Sequence, residues 1–299
     1  MRSINRFAWP MAATLALAAA PAMAQVADSM STTASTTTTS GVTADGFDRD
    51  RHFNGIYIQG FGGFGVGGEN GNTFEFDTNR DGTYGDTVRT LSGVNAFGPG
   101  FCNGARGPSR ASGCANDKAG AEYGARIGFD ARSGNIVFGG LLEGSRNDSI
   151  ERASAFSTTP AFYKIARSVD YAISARGRVG YTPNGGALFY ATGGVSYAKI
   201  DHDFYTSNTA NSFTEQNDGD MVWGWQAGGG TEIMLTNNLS LGAEYLYSRY
   251  KDDKYSVGVG AGSAPATNPF LLNGGGTNMR IQDKNFDVHA IRAVVGLRF

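Results

Sequence analysis

A strict alternation of apolar and polar side chains runs through five segments of the chain, and it limits the fold more than any other feature. The clearest segment, 121–131, reads AEYGARIGFDA, with Ala, Tyr, Ile and Phe at odd positions and charges among the even ones. Because successive side chains of a strand point to opposite faces, a period of two predicts strands whose faces meet different media. The other four segments are 168–181, 222–234, 239–250 and 285–299.

Three less regular segments complete a set of eight predicted strands. They span 55–66, 136–145 and 188–200. We assign their polar residues Gln59, Glu143 and Thr192 to the face that carries the charges elsewhere.

The connections between these strands alternate in length. Tight turns rich in Gly, Pro and Asn occupy 132–135, 182–187 and 236–238. Long connections occupy 67–120, 147–167, 201–220 and 251–284. Loops beyond ~15 residues are uncommon in compact domains, so four of them, each alternating with a tight turn, indicate an up-and-down topology with every long loop at one end.

The composition of the two faces indicates which medium each one meets. Only 17% of the residues are charged, against ~25% in soluble domains, and the apolar faces carry many Tyr and Trp, as in the aromatic girdles of membrane barrels. In hydrocarbon, a strand protein must close on itself to satisfy its backbone. We therefore predict an all-β fold, an eight-stranded antiparallel up-and-down transmembrane β-barrel over 54–299, with four extracellular loops and periplasmic termini.

The polar faces would line the lumen of this barrel with ion pairs. Their charged residues are Glu122, Arg126, Asp130, Glu143, Asp170, Arg176, Arg178, Glu232, Glu244, Arg292 and Arg298. An eight-stranded barrel is just wide enough for side chains to fill it, and an unpaired buried charge costs several kcal/mol. We expect a plugged lumen; a narrow channel for small solutes is the alternative, and conductance in a planar bilayer separates the two.

Two segments precede the predicted barrel. Residues 1–24 combine Arg2 and Arg6 with an apolar run and a small-x-small site at 22–24, which predicts a secretory signal peptide. Residues 25–53 include STTASTTTTS and form a predicted disordered leader, since they carry too few apolar side chains to build a core. No later stretch approaches the ~20 apolar residues of a membrane helix.

The stretch GIYIQGFGGFG at 55–65 contains a match to the G-x-G-x-x-G fingerprint of dinucleotide-binding proteins. That site requires a helix after the third glycine, whereas VGGENGNTFEFD follows here without helical periodicity. The context predicts a barrel strand whose glycines permit bending and the passage of large side chains. A net charge of −2 also offers no broad basic surface for nucleic acid.

Two cysteines and one acidic loop are candidate sites within the first long connection. Cys102 and Cys114 predict a local disulfide in an exported chain, rather than a metal site, because no His lies nearby. The acidic loop DTNRDGTYGD places Asp77, Asn79 and Asp81 at calcium-ligand spacing, with Asp86 ahead of the position where a bidentate Glu is expected. Ordinary Asx turns are the alternative.

The three histidines are the candidates for catalysis. His52 lies in the leader, His202 in a DHD triplet, and His289 in the last strand. No Ser or Cys nucleophile accompanies them in a supporting pattern, so we expect no enzymatic activity and no bound cofactor.

An ordered set of motifs resembles the small porin-family outer-membrane barrels of alphaproteobacteria, related to the OmpA-type transmembrane domain. The matching stretches are GIYIQGFGGFG, ARGRVGY, YATGGVSYA, GWQAGGGTE, GAEYLY and the terminal IRAVVGLRF. The resemblance implies a barrel-assembly signal formed by Val295, Leu297 and Phe299, and partners that include the barrel-assembly machinery, outer-membrane lipid and lipopolysaccharide. It also implies a structural or surface role, with solute passage or ligand attachment as alternatives. The peptidoglycan-binding domain of many OmpA-type proteins is not expected here.

Overall fold

The computed structural model describes residues 48–49, 51–68 and 73–299. The predicted signal peptide and most of the predicted leader lie outside the described residues. No helix among the described residues is long and apolar enough to cross a membrane.

Fourteen strands follow one another along the described chain. They are β1 (Gly55–Gly67), β2 (Phe74–Asp77), β3 (Gly100–Cys102), β4 (Gly120–Ser133), β5 (Ile136–Asn147), β6 (Glu151–Ser157), β7 (Ala161–Tyr181), β8 (Ala187–Thr206), β9 (Ser212–Gln216), β10 (Met221–Met234), β11 (Leu239–Lys251), β12 (Ser256–Gly260), β13 (Thr277–Ile281) and β14 (Asn285–Arg298).

Eight of these strands close into an antiparallel barrel, and they are the eight that the sequence predicts. The order around the barrel is β1, β4, β5, β7, β8, β10, β11 and β14, and β14 pairs with β1 to close it. The predicted fold class is therefore confirmed. We call the end with the three tight turns the turn end, and the opposite end the loop end.

The outer face of the barrel is apolar because the alternation turns its apolar residues outward. Phe64 and Ile291 are 71% and 70% exposed, respectively. Outward aromatic side chains lie toward both ends: Phe138 and Phe189 near the turn end are 57% and 53% exposed. Toward the loop end the rings of Tyr197 and Trp223 lie 4.7 Å apart and those of Trp225 and Tyr247 lie 5.2 Å apart. This arrangement matches an apolar band bounded by an aromatic girdle.

The glycine-rich stretch of the first strand forms part of β1, and a strand continues through the whole fingerprint. Glycines on neighbouring positions make room for inward side chains. A Cβ on Gly65 would lie 2.1 Å from Asn147 Nδ2, and one on Gly128 would lie 2.3 Å from the Tyr57 ring. At these two positions glycine therefore serves packing, whereas a Cβ on the outward Gly60 or Gly62 would meet nothing within 4 Å.

The long connections are folded into a second structure, which we call the cap. It comprises the sheet β2–β13–β12–β9 and, facing it, β3, β6 and the loop-end parts of β7 and β8. Its apolar core includes Phe76, Phe97, Ile165, Val257 and Met279. The sequence predicts loops here because the cap strands outside β7 and β8 are only three to seven residues long, too short for a clear period of two.

Candidate functional site

A first charged layer crosses the lumen near the turn end. The Arg178 Nε lies 2.8 Å from Asp130 Oδ1, and its Nη1 lies 3.3 Å from Glu232 Oε2. Arg298 completes the square, with its Nη1 2.8 Å from Asp130 Oδ2 and its Nη2 2.8 Å from Glu232 Oε1. Both guanidinium groups also lie over the Tyr57 ring, at 4.4 and 4.8 Å. Each charge in this layer therefore has two oppositely charged partners.

A second charged layer lies nearer the loop end. Arg126 Nη1 is 2.7 Å from Glu244 Oε2, and Arg292 Nη1 is 2.7 Å from Glu143 Oε1. Arg176 bonds Glu143 and also lies 3.4 Å from Glu244 Oε1. The members of the layer are Glu122, Arg126, Glu143, Arg176, Glu244 and Arg292, all at most 5% exposed.

Gln59 and Tyr190 join the two charged layers. The Gln59 amide donates to Glu232 at 3.0 Å, and its oxygen accepts from Arg126 at 2.7 Å. The Tyr190 hydroxyl donates to Glu244 at 2.8 Å. The ten charged residues of the two layers, which we call the lumen network, comprise five arginines and five carboxylates. Pairing of this kind offsets the several kcal/mol that each buried ion would otherwise cost.

Asp170 is the one predicted lumen residue that lies outside the lumen. It occupies a β-bulge in β7, where Val169 pairs with Ile200 and the next paired residue, Tyr171, pairs with Lys199. Its carboxylate instead meets Arg146 at 3.2 Å and Lys199 at 3.4 Å on the outer surface. The prediction was wrong because a bulge adds one unpaired residue and so changes which side chains point inward.

The bulge has a second effect on β7. On the cap side of Asp170, the odd-numbered Tyr163 and Ile165 point into the cap core. On the barrel side, the even-numbered Arg176 and Arg178 point into the lumen. One strand can thus serve two interiors only because the bulge shifts its alternation by one residue.

An apolar layer and a further ion cluster lie between the lumen network and the cap. The apolar layer contains Val169, Ala172, Ala198, Ile200, Val222, Tyr250, Phe286 and Val288. Above it, Arg167 bonds Glu151 at 2.9 Å and Asp252 at 3.2 Å, and its guanidinium lies 4.9 Å from the centre of the Phe286 ring. Arg167 also donates to the carbonyls of Asp283 and Asn285. This cluster ties two of the long connections, 147–167 and 251–284, to the rim of the barrel.

The turn end is covered by residues 48, 49 and 51–53, which we call the mouth segment. Phe53 is fully buried and lies under the Arg298 guanidinium at 4.8 Å. His52 lies 2.8 Å from the carbonyl oxygen of Gly185 and 3.2 Å from Asn237 Oδ1, and Arg132 donates to the carbonyl of Arg49 at 2.6 Å. Each of the three tight turns therefore contributes one residue that hydrogen-bonds this segment. The packed chain begins ahead of the predicted boundary at residue 54.

The sequence contains different amounts of information about the Arg167 cluster and about the mouth segment. Residues 161–167, AFYKIAR, are rich enough in apolar and aromatic residues to extend β7, but the alternation of 168–181 continued without a bulge would turn Arg167 outward, so its inward position could not be predicted. The mouth segment carries no periodic pattern. Its docking depends on Arg132, Gly185 and Asn237, which are distant in sequence.

Cys102 and Cys114 form the predicted disulfide, with their Cα atoms 5.9 Å apart. The first of them ends β3, which pairs with β6. The disulfide therefore fixes the intervening segment, residues 102–114, to the side of the cap.

The acidic loop uses its oxygens within the protein. Asp77 accepts backbone hydrogen bonds from Asp81 and Gly82, and Asp86 accepts two from Thr78. The Thr83 N–H that bonds Asp81 lowers the pKa of that carboxyl. Asn79 also accepts from the Asp81 N–H. These are the Asx turns of the alternative interpretation, and no group of three or more acidic, His or Cys residues in the described part of the chain is arranged to hold a metal.

The candidate catalytic histidines occupy closed or lipid-facing positions. His202 Nε2 lies 3.0 Å from Asp252 Oδ2 and its ring stacks on Tyr255 at 3.9 Å, but its side chain is only 2% exposed. An external substrate therefore cannot reach this imidazole. His289 lies in the girdle, 2.7 Å from the Tyr245 hydroxyl.

Two side chains next to the His202 imidazole, those of Asp252 and Tyr255, have shifted pKa values. Burial raises the pKa of Asp252, but the hydrogen bond from His202 and the charge of Arg167 outweigh it, so the net shift is downward. Burial raises the pKa of the Tyr255 hydroxyl, and its hydrogen bond to Glu215, at 2.7 Å, raises it further. Tyr255 therefore stays protonated and donates to a carboxylate.

Val295, Leu297 and Phe299 lie on the outer face, 53%, 52% and 73% exposed. The Phe299 N–H donates to the carbonyl of Ile56 at 2.9 Å, at the seam where β14 meets β1. The predicted assembly signal is thus accessible from the membrane side of the barrel.

Comparison with known proteins gives two curated sequence relatives and several distant structures. No family model matches the chain. The 31 kDa outer-membrane immunogenic protein of Brucella melitensis biotype 1 is 27% identical over 125 residues, which cover 42% of this chain and 52% of that protein. The chain spans about half the length of this curated relative.

Two solved structures illustrate the distant similarity. The outer membrane protein OprG from Pseudomonas aeruginosa has a TM-score of 0.46 and 14% identity, covering 83% of this chain and 97% of that one. The outer membrane protease OmpT from Escherichia coli has a TM-score of 0.40 and 10% identity, covering 83% and 97%. The closed barrel, its apolar outer face and its sequence relative together identify the chain as a β-barrel protein of the outer membrane.

Proposed function

We propose that the protein is a non-conducting, non-enzymatic barrel that holds its cap at the cell surface. In this role it belongs to the small porin-family outer-membrane proteins, and it contributes to the envelope by display rather than by transport. The observation that carries the proposal is the lumen network, whose ten charges pair across the full width of the barrel.

Three further features support a closed lumen. The mouth segment covers the periplasmic end, the apolar layer around Phe286 lies above the network, and the Arg167 cluster lies above that layer. A solute would have to pass all four barriers. Moving one charge out of its pairs would leave a partner unpaired in a medium of low polarity, at a cost of several kcal/mol.

Conductance of the refolded protein in a planar lipid bilayer tests this proposal. We expect no steady current above that of the bare membrane, while a trimeric porin inserted into the same membrane provides the positive control. A steady current would contradict the closed barrel and favour the narrow channel. Buried polar atoms without a partner, such as Asn147 Nδ2 and Gln226 Oε1, are where water would enter such a path.

The proposal also assigns partners by chemistry. The outward Val295, Leu297 and Phe299 suit recognition by the barrel-assembly machinery. The exposed cations Arg146 and Lys251, at the loop ends of β5 and β11, suit contact with lipopolysaccharide phosphates. Deletion of Phe299 is expected to reduce the amount of folded protein in the outer membrane while leaving refolding in detergent intact. Equal loss in both settings would indicate that Phe299 only stabilises the β1–β14 seam.

A further inference from the structure

The outer face of the cap sheet carries a groove whose lining residues all belong to the cap and not to the barrel. It has a volume of about 370 Å³, within the ~300–1,000 Å³ range of small-molecule sites. Three strands and one turn line it: Ser212, Thr214 and Gln216 lie on β9, Gly258 and Gly260 on β12, Asn278 on β13, and Arg80 in the turn that follows β2.

The floor of the groove is backbone. Gly258 pairs with Thr214 on one side and with Asn278 on the other. A Cβ there would lie 3.2 Å from Gln216 Nε2 and 3.6 Å from Asn278 Oδ1. Any larger side chain would therefore occupy the space between these two amides.

The walls supply hydrogen-bonding groups and one positive charge. Hydroxyl and amide groups stand at alternate positions of β9, so Ser212, Thr214 and Gln216 form a row on one side. Arg80 stands at the end of the groove, where its Nη2 donates to the carbonyl of Val259 at 2.8 Å. Its guanidinium passes over Gly276, where a Cβ would lie 2.0 Å from Nη2.

The lining has one positive charge and no negative charge, which indicates the chemical class of the ligand. None of the seven lining residues is acidic, and a guanidinium has five donors in a fork that matches a carboxylate. Hydroxyl and amide groups around it match the hydroxyl groups of a sugar. We propose that this groove binds an acidic oligosaccharide, with its carboxylate at Arg80 and its hydroxyl groups between Gln216 and Asn278.

This inference rests on the proposed display role of the cap, and a direct binding measurement tests it. The probe is 3′-sialyllactose, titrated against the detergent-folded protein with saturation-transfer NMR, with lactose as its uncharged counterpart. We expect saturable binding of sialyllactose and at least ~10-fold weaker binding of lactose, as the loss of a charge-assisted hydrogen bond predicts.

Two variants locate the site. Gly258→Val fills the floor and is expected to weaken sialyllactose binding at least tenfold, while Arg80→Gln is expected to reduce it to the level of lactose. Arg89→Gln is the matched control: this arginine lies in the same connection, bonds the Gly93 carbonyl and does not line the groove. Far-UV circular dichroism and the electrophoretic shift of the unheated barrel check that each variant is folded.

The proposal is overturned if sialyllactose and digalacturonate both fail to bind at about 10 mM, above the ~1 mM constant of a weak site. It is also overturned if the acidic and neutral sugars bind equally, or if Arg89→Gln weakens binding as much as Arg80→Gln. None of these results depends on conductance, so the closed-barrel proposal stands or falls separately.

Discussion

The two interiors of this molecule have opposite chemistry. Within the barrel, arginines and carboxylates fill the centre and apolar side chains face outward. Within the cap, aromatic and aliphatic side chains such as Phe97 and Met279 fill the centre, and polar residues face outward. The difference follows from the surrounding medium: lipid takes up the apolar face of the barrel strands, whereas water surrounds the cap.

The bulge at Asp170 is where one arrangement changes into the other, and its deletion is expected to have the largest effect. Without Asp170, β7 keeps one alternation throughout, so either Arg176 and Arg178 or Tyr163 and Ile165 must face the wrong side. We expect loss of the folded cap, measured by protease digestion of intact cells. Asp170→Ala keeps the extra residue and should leave the cap resistant; equal sensitivity of both variants would contradict a role of the bulge in the alternation.

Breaking the lumen network should cost more than any single surface change. Arg292→Met leaves Glu122, Glu143 and Glu244 short of a positive charge and is expected to cost about 3–5 kcal/mol, measured by urea unfolding in lipid vesicles. Lys251→Met is the control, since its pair with Asp253 lies at the surface, with the two side chains 73% and 31% exposed, and should cost less than about 1 kcal/mol. Similar costs for the two variants would mean that burial does not set the value of these pairs.

The cap core tests whether the two interiors unfold separately. Met279→Ala removes a fully buried side chain and is expected to destabilise the cap by about 2–5 kcal/mol. Hydrogen exchange should increase in β2, β12 and β13 while the barrel strands stay protected. A matching increase in β1 and β11 would show that cap and barrel form one cooperative unit.

The smallest expected effect concerns a single polar contact at the edge of the cap core. Tyr255→Phe removes the hydrogen bond to Glu215 and keeps the ring stacked on His202. We expect a loss of about 0.5–1.5 kcal/mol, because Glu215 is exposed and water can replace the lost donor. The measurement is the urea midpoint of cap-specific near-UV dichroism, and a cost above that of Met279→Ala would contradict this ranking.

The sequence predicts the barrel more completely than the cap. In long alternating segments such as 121–131, the sequence itself shows which side chains share a face. All eight barrel strands and ten of the eleven charged residues predicted for the lumen could therefore be assigned. Asp170 could not, because a bulge leaves no mark in the pattern. The cap strands are short, and they are held in place by contacts such as Asn278 with Asp77 that join residues far apart in the chain.

β7 and β8 run without interruption from the turn end into the cap, over 21 and 20 residues. At ~3.3 Å per residue each strand extends roughly 65 Å. Because the cap and the barrel share these two strands, we expect the cap not to rotate as a separate domain. Antibodies against the native cell should consequently recognise shapes assembled from several connections, and linear synthetic peptides copied from any one of them should compete poorly.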